Sequence, residues 1–257
     1  MRILFVGDVC GKPGRRVVQR RVPALRRELG VDFAIANAEN SAGGTGITKQ
    51  TASELFAAGV DVLTGGNHTW QKREAYELLD SNPRVVRPAN YPPGVPGQGS
   101  TVVRAGSAAL AVLNLQGRVF MQPLDDPLRL GRTEAARLRE ITPFVVVDFH
   151  AEATSEKVAL GWYLDGLVSA VVGTHTHVQT ADERVLPGGT AYITDVGMTG
   201  PRDGIIGMDR RAILDRFLTQ LPARFEVARG TVQLNAVLVE VDDDGRATGI
   251  RRIYEVE

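Results

Sequence analysis

The sequence predicts an α/β fold with mixed sheets, and three observations support this prediction. Short apolar runs of strand length recur along the first 177 residues, and amphipathic stretches with helical spacing separate several of them. Connections of that length join parallel strands in βαβ units. After residue 223 the pattern changes to alternating apolar and polar residues, which predicts two or three antiparallel strands with a turn at Asp244-Gly245.

The first half of the chain contains three predicted strands and two predicted helices in alternation. The strands are "RILFVGD" at 2–8, "DFAIANAEN" at 32–40 and "VDVLTGGNH" at 60–68. Between the first two strands, apolar residues recur at helical spacing at Val18, Val22, Leu25 and Leu29. Before the third strand, "TKQTASELFAAG" at 48–59 predicts a helix that ends at Gly59.

The second half adds a long loop, a hairpin and further helices and strands. Residues 81–100 are rich in Pro and Gly and predict the loop. The hairpin is predicted at 100–117, helices at 133–141 and 154–166, and strands at 143–150 and 168–177. Because no repeat, low-complexity segment or linker interrupts residues 1–257, we predict a single domain, with a small loop or cap excursion around 81–135.

Composition argues against several classes of protein. The formal net charge is zero, so we expect neither a stable nucleic-acid partner nor a membrane partner. The single cysteine, Cys10, rules out an intrachain disulfide and fits a reducing compartment. No apolar run has the roughly 20 residues of a membrane-spanning helix, and the N-terminal run is too short for a signal peptide. We therefore expect a soluble cytoplasmic protein.

Polar side chains that can bind metals follow the predicted strands at the point where each strand ends. Five strand ends carry, in chain order, Asp8, Glu39 and Asn40, Asn67 and His68, His150, and His175 and His177. The ligand crevice of an open α/β sheet lies beyond the carboxyl ends of its strands. One such residue alone is more often a turn, cap or structural residue. Recurrence at five strand ends, with all four histidines of the chain, favours a shared metal site.

Five short motifs, in this order, resemble those of the calcineurin-like metallophosphoesterases. They are "GDV" at 7–9, "NAEN" at 37–40, "GGNH" at 65–68, the histidine at 150 and "GTHTH" at 173–177. Within that family the chain is similar to the small bacterial YmdB-like branch. The resemblance implies a layered α/β/β/α sandwich with mixed central sheets and a site for two metal ions.

The resemblance also implies a role for each polar residue. The implied ligands are Asp8, Asn40 and His177 for the first metal, Asn67, His150 and His175 for the second, and Glu39 as a bridge between them. His68 would face the scissile phosphate and protonate the leaving oxygen. Because neighbouring residues of a strand point in opposite directions, His68 is not expected to share a metal with Asn67.

Two positions depart from the pattern of the wider family. Its first motif has Asp-x-His, whereas this chain has Asp8-Val9-Cys10, and its bridging residue is an Asp, whereas this chain has Glu39 followed by Asn40. The YmdB-like branch shares both changes. A Cys10 thiolate ligand is one explanation of the missing histidine, and a small buried residue is the explanation that we favour.

This site predicts a metal-dependent phosphodiesterase or phosphatase that uses a hydroxide activated by a dinuclear metal centre. The resemblance favours small cyclic nucleotides, such as 2′,3′-cyclic nucleotides, as substrates. The mixed ligand set suits two divalent ions, iron or manganese in preference to zinc. An amidohydrolase and a non-catalytic regulator that senses metal or nucleotide stay open as alternatives, as does a homo-oligomer. The loops at 81–100, 117–127 and 197–209 are candidates for shaping substrate access.

Overall fold

The computed structural model describes residues 1–257 as fourteen strands and six helices. In chain order these are β1 (Arg2–Val6), β2 (Asp8–Val9), α1 (Gly11–Leu29), β3 (Phe33–Asn37), α2 (Lys49–Ala57), β4 (Val62–Thr64), α3 (Ala75–Ser81), β5 (Val85–Val86), β6 (Ser100–Ala105), β7 (Ala108–Gln116), α4 (Pro127–Arg139), β8 (Val145–His150), α5 (Thr154–Tyr163), β9 (Ala170–Thr174), β10 (Arg184–Val185), β11 (Ala191–Ile193), β12 (Met198–Pro201), α6 (Arg210–Thr219), β13 (Val232–Val241) and β14 (Ala247–Val256).

The strands form two mixed sheets. The first has the order β2-β12-β13-β1-β3-β4-β5, with β14 also paired to β13. Its strands β1, β3, β4 and β5 run parallel, and β13 pairs antiparallel with β1. The second sheet has the order β10-β11-β9-β8-β7-β6, parallel in its centre and antiparallel at both edges. The prediction of mixed central sheets is confirmed.

The two sheets pack face to face, and helices cover their outer faces. Alternate residues of a strand point to opposite sides. Ile3 and Phe5 of β1 therefore lie in the cluster between the sheets, whereas Leu4 and Val6 pack against helices α1 to α3. In the second sheet, Val146 lies between the sheets and its neighbours on β8 pack against α4 and α5. Burial on both faces explains the continuous apolar runs of the sequence, and the layers confirm an α/β/β/α sandwich.

Several boundaries differ from the predicted ones. Helix α4 begins at Pro127 rather than at residue 133, because Asp126 caps it by accepting from the backbone N–H groups of Leu128 and Arg129. Strand β4 ends at Thr64, and the chain turns at Gly65-Gly66 instead of continuing as a strand to residue 68. The prediction that residues 67 and 68 are strand neighbours is therefore wrong.

Residues 81–135 contribute to the second sheet as well as to loops. The predicted excursion around 81–135 contains β5, β6, β7 and the first part of α4, and its longer irregular parts are 87–99 and 117–126. Elements that the sequence did not predict are α3, α6 and the short strands β5, β10, β11 and β12. No helix is both long and apolar enough to cross a membrane.

Candidate metal centre and active site

All eight predicted site residues lie at one edge of the sandwich, beyond the carboxyl ends of β1, β3, β4, β8 and β9. They are Asp8, Glu39, Asn40, Asn67, His68, His150, His175 and His177. The edge is formed jointly by the two sheets, because the first three strands belong to one sheet and the last two to the other. Glu39, His150 and His175 place potential ligand atoms within 4.8 Å of one another.

One group of ligand atoms surrounds Nε2 of His150. This nitrogen lies 2.9 Å from Oδ1 of Asn67, 3.1 Å from Nδ1 of His175 and 3.1 Å from Oε1 of Glu39. Ligand atoms around a tetrahedral metal with bonds of about 2.1 Å lie about 3.4 Å apart. A modest separation of these four side chains would therefore give such a centre, and the set of imidazole, amide and carboxylate suits a divalent cation.

A second group consists of Asp8, Asn40 and His177. Nε2 of His177 lies 3.3 Å from Oδ1 of Asn40 and 3.7 Å from Oδ1 of Asp8. Nδ1 of His177 is 3.0 Å from the carbonyl oxygen of Ile206, which can only accept, so the proton lies on Nδ1 and the Nε2 lone pair faces the carboxylate.

Oδ1 of Asp8 is the observation that best tests whether this group fits a cation. Asp8 is fully buried, and this oxygen has no hydrogen-bond donor. Burial raises the pKa of Asp8 above its usual range, and the neighbouring His177 opposes that effect. A buried carboxylate oxygen without a donor is costly unless a cation compensates it. The residues present therefore fit a metal ion at this position.

Glu39 contacts His150 of the first group and also contacts His68. Its Oε1 is 3.1 Å from Nε2 of His150 and 3.1 Å from Nδ1 of His68, and its Oε2 accepts from the backbone N–H of His68 at 2.8 Å. Burial alone would raise its pKa, but His150 and His68 outweigh burial and hold the pKa well below the usual range. The side chain is thus an anion that faces the imidazoles of His150 and His68.

His150 and His175 have opposite proton affinities although their rings are in contact. Burial lowers the pKa of His150, but the charges of Glu39 and Asp8 outweigh it and raise the pKa to about 9. Burial and the charge of His150 lower the pKa of His175 to about 3. Two imidazole nitrogens 3.1 Å apart can share one proton, or both can coordinate a cation.

His68 is the most exposed of the four histidines. Its side chain is 30% exposed, against 20% for His175, 7% for His177 and 0% for His150. It lies in the turn formed by residues 66–69, which the Thr69 hydroxyl fixes by accepting from the N–H of Gly66. Its ring contacts Glu39, Asn40 and Asn67. The position of His68 therefore results from this turn and these contacts, and not from strand alternation.

Cys10 is buried at the start of α1. Burial, reinforced by the charge of Asp8, raises its thiol pKa to about 12. The side chain packs closely against the backbone of Gly200 and Gly207, where an added methyl group would collide with it. A neutral, packed thiol supports the interpretation of Cys10 as a small buried residue.

A buried polar layer beneath the site was missed in the sequence. Asp148 accepts from the hydroxyl groups of Thr174, at 2.7 Å, and Thr64, and from Nδ2 of Asn37 at 3.1 Å. Because the Thr174 hydroxyl donates to Asp148, its oxygen accepts from Nδ1 of His150 at 2.9 Å. Burial raises the Asp148 pKa to about 6. The position of Asp148 two residues before His150, on the same face of a buried strand, was the available signal.

A buried ion pair beneath the His-x-His segment was also missed. Nζ of Lys157 lies 2.7 Å from Oδ2 of Asp195, and this oxygen accepts from both the N–H and the hydroxyl of Thr176. Thr176 separates His175 and His177, whose φ angles of 97° and 66° lie in the left-handed region. The pair thus fixes a strained bend, and no local sequence signal links residues 157 and 195.

Comparisons with known proteins agree with the fold and with the family resemblance. The family model described as YmdB-like protein matches residues 4–253. A 2′,3′-cyclic-nucleotide 2′-phosphodiesterase of Bacillus subtilis is 56% identical over 98% of this chain and 96% of its own length. A solved structure of a hypothetical protein from Thermus thermophilus is 46% identical, covers both chains fully and has a TM-score of 0.93. A structure of a phosphatase from Mycoplasma pneumoniae is 35% identical, with a TM-score of 0.93 over 100% of this chain and 93% of that one.

Proposed function

The chain belongs to the YmdB-like family, and on that premise we propose that it is a metal-dependent phosphoric ester hydrolase whose substrates are 2′,3′-cyclic nucleotides. The observation that carries the proposal is the convergence of two groups of metal-binding atoms at one edge of the sandwich, one around Nε2 of His150 and one around Nε2 of His177. The 56% identity to a cyclic-nucleotide phosphodiesterase over nearly the whole chain supports the substrate class. The same identity favours a hydrolase over a purely regulatory protein. It also favours a phosphate ester as the substrate over the amide substrate of an amidohydrolase.

We assign the ligands of two divalent ions to the two groups. Asp8, Asn40 and His177 would hold one ion, Asn67, His150 and His175 the other, and Glu39 would contact both. Bound there, the ions would supply Lewis-acid polarisation of the phosphate and acidification of water. The mixed nitrogen and oxygen donors suit iron or manganese in preference to zinc.

The charge of the site suits a phosphodiester. Two divalent ions carry four positive charges, and the carboxylates of Asp8 and Glu39 compensate two of them. The remaining positive charge attracts the single negative charge of a cyclic phosphate. His68, as the most exposed histidine, lies where a bound ester would meet the protein.

In the proposed reaction, water attacks phosphorus, the bond between phosphorus and O2′ breaks, and the phosphate stays on O3′. The leaving O2′ needs a proton, and we assign its donation to Nε2 of His68. The contact between Nδ1 of His68 and Oε1 of Glu39 orients the ring. Product release then leaves a 3′-monophosphate.

The test is hydrolysis of 2′,3′-cyclic AMP by protein reconstituted with Mn²⁺ or Fe²⁺, followed by identification of the product. We expect 3′-AMP as the product and loss of turnover when a chelator is added. Turnover should also be lost in Asp8→Asn, which replaces the buried carboxylate by a neutral amide. Turnover that persists in both the chelated protein and Asp8→Asn would contradict the metal-dependent mechanism. A product with the phosphate on O2′ would contradict the assigned bond cleavage.

A further inference from the structure

Backbone strain in this protein is concentrated around the candidate site. Five residues other than glycine have a positive φ, and one of them, Gln220, ends helix α6. His175 and His177 form the strained bend of the proposed metal ligands, and Ile206 presents its carbonyl oxygen to Nδ1 of His177. The fifth residue, Phe120, has a φ of 62° and no such intramolecular role.

Phe120 occupies a turn position that favours glycine. The N–H of Met121 donates to the carbonyl oxygen of Arg118, and Phe120 is the third residue of this four-residue turn. A positive φ at the third residue defines a type II turn, in which glycine is the usual residue. The Phe120 side chain is also 89% exposed, so it gains little from burial. A strained backbone and an exposed aromatic ring together indicate a contact with something outside the chain.

The turn is fixed over the carboxyl end of β8, the strand that ends at His150. Gln116, the last residue of β7, pairs with His150, and the N–H of Gly117 donates to the His150 carbonyl oxygen at 3.0 Å. The N–H groups of Arg118 and Val119 donate to the carboxylate of Glu156 at 3.1 and 3.3 Å. Four backbone N–H groups therefore hold the turn, including that of Met121, whose hydrogen bond closes it. The position of the Phe120 backbone is fixed by these contacts.

The far side of the loop is tied to residues next to His68. Gln122 accepts from Nε2 of Gln116 at 3.1 Å and from the hydroxyl of Tyr91 at 3.1 Å. The Tyr91 ring packs edge to face against Trp70, two residues after His68, with centroids 4.4 Å apart. The loop that carries Phe120 is thus tied to His150 at one end and, through Tyr91, to Trp70 near His68 at the other.

We propose that Phe120 is a specificity-determining residue that stacks against the nucleobase of the substrate. The inference rests on the proposed hydrolysis of cyclic nucleotides. It places the base of the cyclic nucleotide against Phe120 while the phosphate lies at the metal-binding edge. Every nucleobase has a π-face, so stacking accepts all four bases and favours purines through their larger area. The strained turn holds the backbone of Phe120 in one conformation in the free protein. Less conformational entropy is therefore lost when a ligand binds.

The test compares Phe120→Gly with the unaltered protein on two substrates. One is 2′,3′-cyclic AMP, and the other is the 2′,3′-cyclic phosphate of 1-O-methylribose, which has the same ester and no base. For the cyclic nucleotide we expect KM to rise about 5- to 140-fold in the variant, the range that corresponds to loss of one stacked base, with kcat nearly unchanged. For the substrate without a base we expect KM to stay the same.

Two further variants separate stacking from a structural effect. Phe120→Tyr should keep the low KM, because it preserves an aromatic face. Phe217→Ala removes a 71% exposed phenylalanine on α6 and should change neither substrate's KM. Because glycine suits the turn, the thermal midpoint of Phe120→Gly should be equal to or above that of the unaltered protein.

The outcomes distinguish this proposal from the proposed function. Turnover of the cyclic nucleotide with an unchanged KM in Phe120→Gly would overturn the stacking role alone. Equal losses on both substrates with a lowered thermal midpoint would show a structural role instead. Absence of cyclic-nucleotide turnover in the metal-loaded, unaltered protein would overturn both.

Discussion

Nε2 of His150 and Nδ1 of His175 lie 3.1 Å apart, although the two residues belong to the ends of different strands. Carboxylate and amide oxygens of Glu39 and Asn67 lie as close to the same His150 nitrogen. This arrangement is compatible with one shared ligand sphere, and it makes metal content the most direct measure of the proposed site.

Replacing His150 or His175 by Ala should lower metal content by about one ion per chain, measured by elemental analysis after dialysis. Ions that bind only the folded state stabilise it, by about 2.7 kcal/mol at a concentration 100 times the dissociation constant. A chelator should therefore lower the thermal midpoint of the unaltered protein more than that of either variant. Full metal content in both variants would contradict the assignment of the second ion.

Thr174→Val should weaken metal binding without removing a ligand. The Thr174 hydroxyl accepts from Nδ1 of His150 and donates to Asp148, so it keeps the Nε2 lone pair of His150 free for a metal. Loss of such an indirect contact lowers metal affinity about 10- to 100-fold. The measurement is competition with a chelator of known affinity, and Thr174→Ser, which retains the hydroxyl, is the control. Equal affinities in the Val and Ser variants would contradict the prediction.

Lys157→Met should destabilise the fold by about 3–5 kcal/mol, because it leaves the buried carboxylate of Asp195 without its cation. Urea unfolding measures the change. The control is Arg137→Met, which removes an exposed ion pair with Glu134 and should cost about 1 kcal/mol or less. The double variant Lys157→Met with Asp195→Asn should be less destabilised than Lys157→Met alone. Similar losses for Lys157→Met and Arg137→Met would show that the buried pair contributes little.

His68→Ala should keep both metal ions and lose turnover on cyclic nucleotides by a factor on the order of 10²–10⁴. The loss should be smaller for a nitrophenyl phosphodiester, because nitrophenolate leaves without a proton. His150→Ala, in contrast, should impair both substrates alike. If His68→Ala lost metal, or lost turnover equally on the two substrates, the acid role would have to be replaced by a ligand or positioning role.

Cys10→Ser should retain metal content and most turnover. The thiol pKa of about 12 keeps Cys10 protonated at neutral pH, since a thiol is protonated below its pKa, and a protonated thiol is a poor metal ligand. The folded protein should also react slowly with thiol reagents at neutral pH. Loss of one metal ion per chain in this variant would establish the thiolate as a ligand.

The sequence by itself determined the α/β character of the fold and the residues of the candidate site. Residues on both faces of β1 are apolar, which predicts a strand buried on both sides, and the helical spacing of Val18, Val22 and Leu25 predicts α1. Side-chain periodicity is a local property, so local sequence encodes it. The site residues were identifiable because carboxyl ends of parallel strands meet at one edge, whatever the strand order.

Tertiary structure alone decided which distant residues meet. The N–H of His175 donates to Asp8, 167 residues away, and Lys157 pairs with Asp195 across 38 residues. Strand order and sheet packing create these contacts, and no local pattern specifies them. The same holds for the turn that contains His68, which the side chain of Thr69 fixes. It also holds for the strained turn at Phe120, because a positive φ at this residue persists only where surrounding contacts enforce it. Strands as short as β10 and β12 likewise exist only because a neighbouring strand pairs with them.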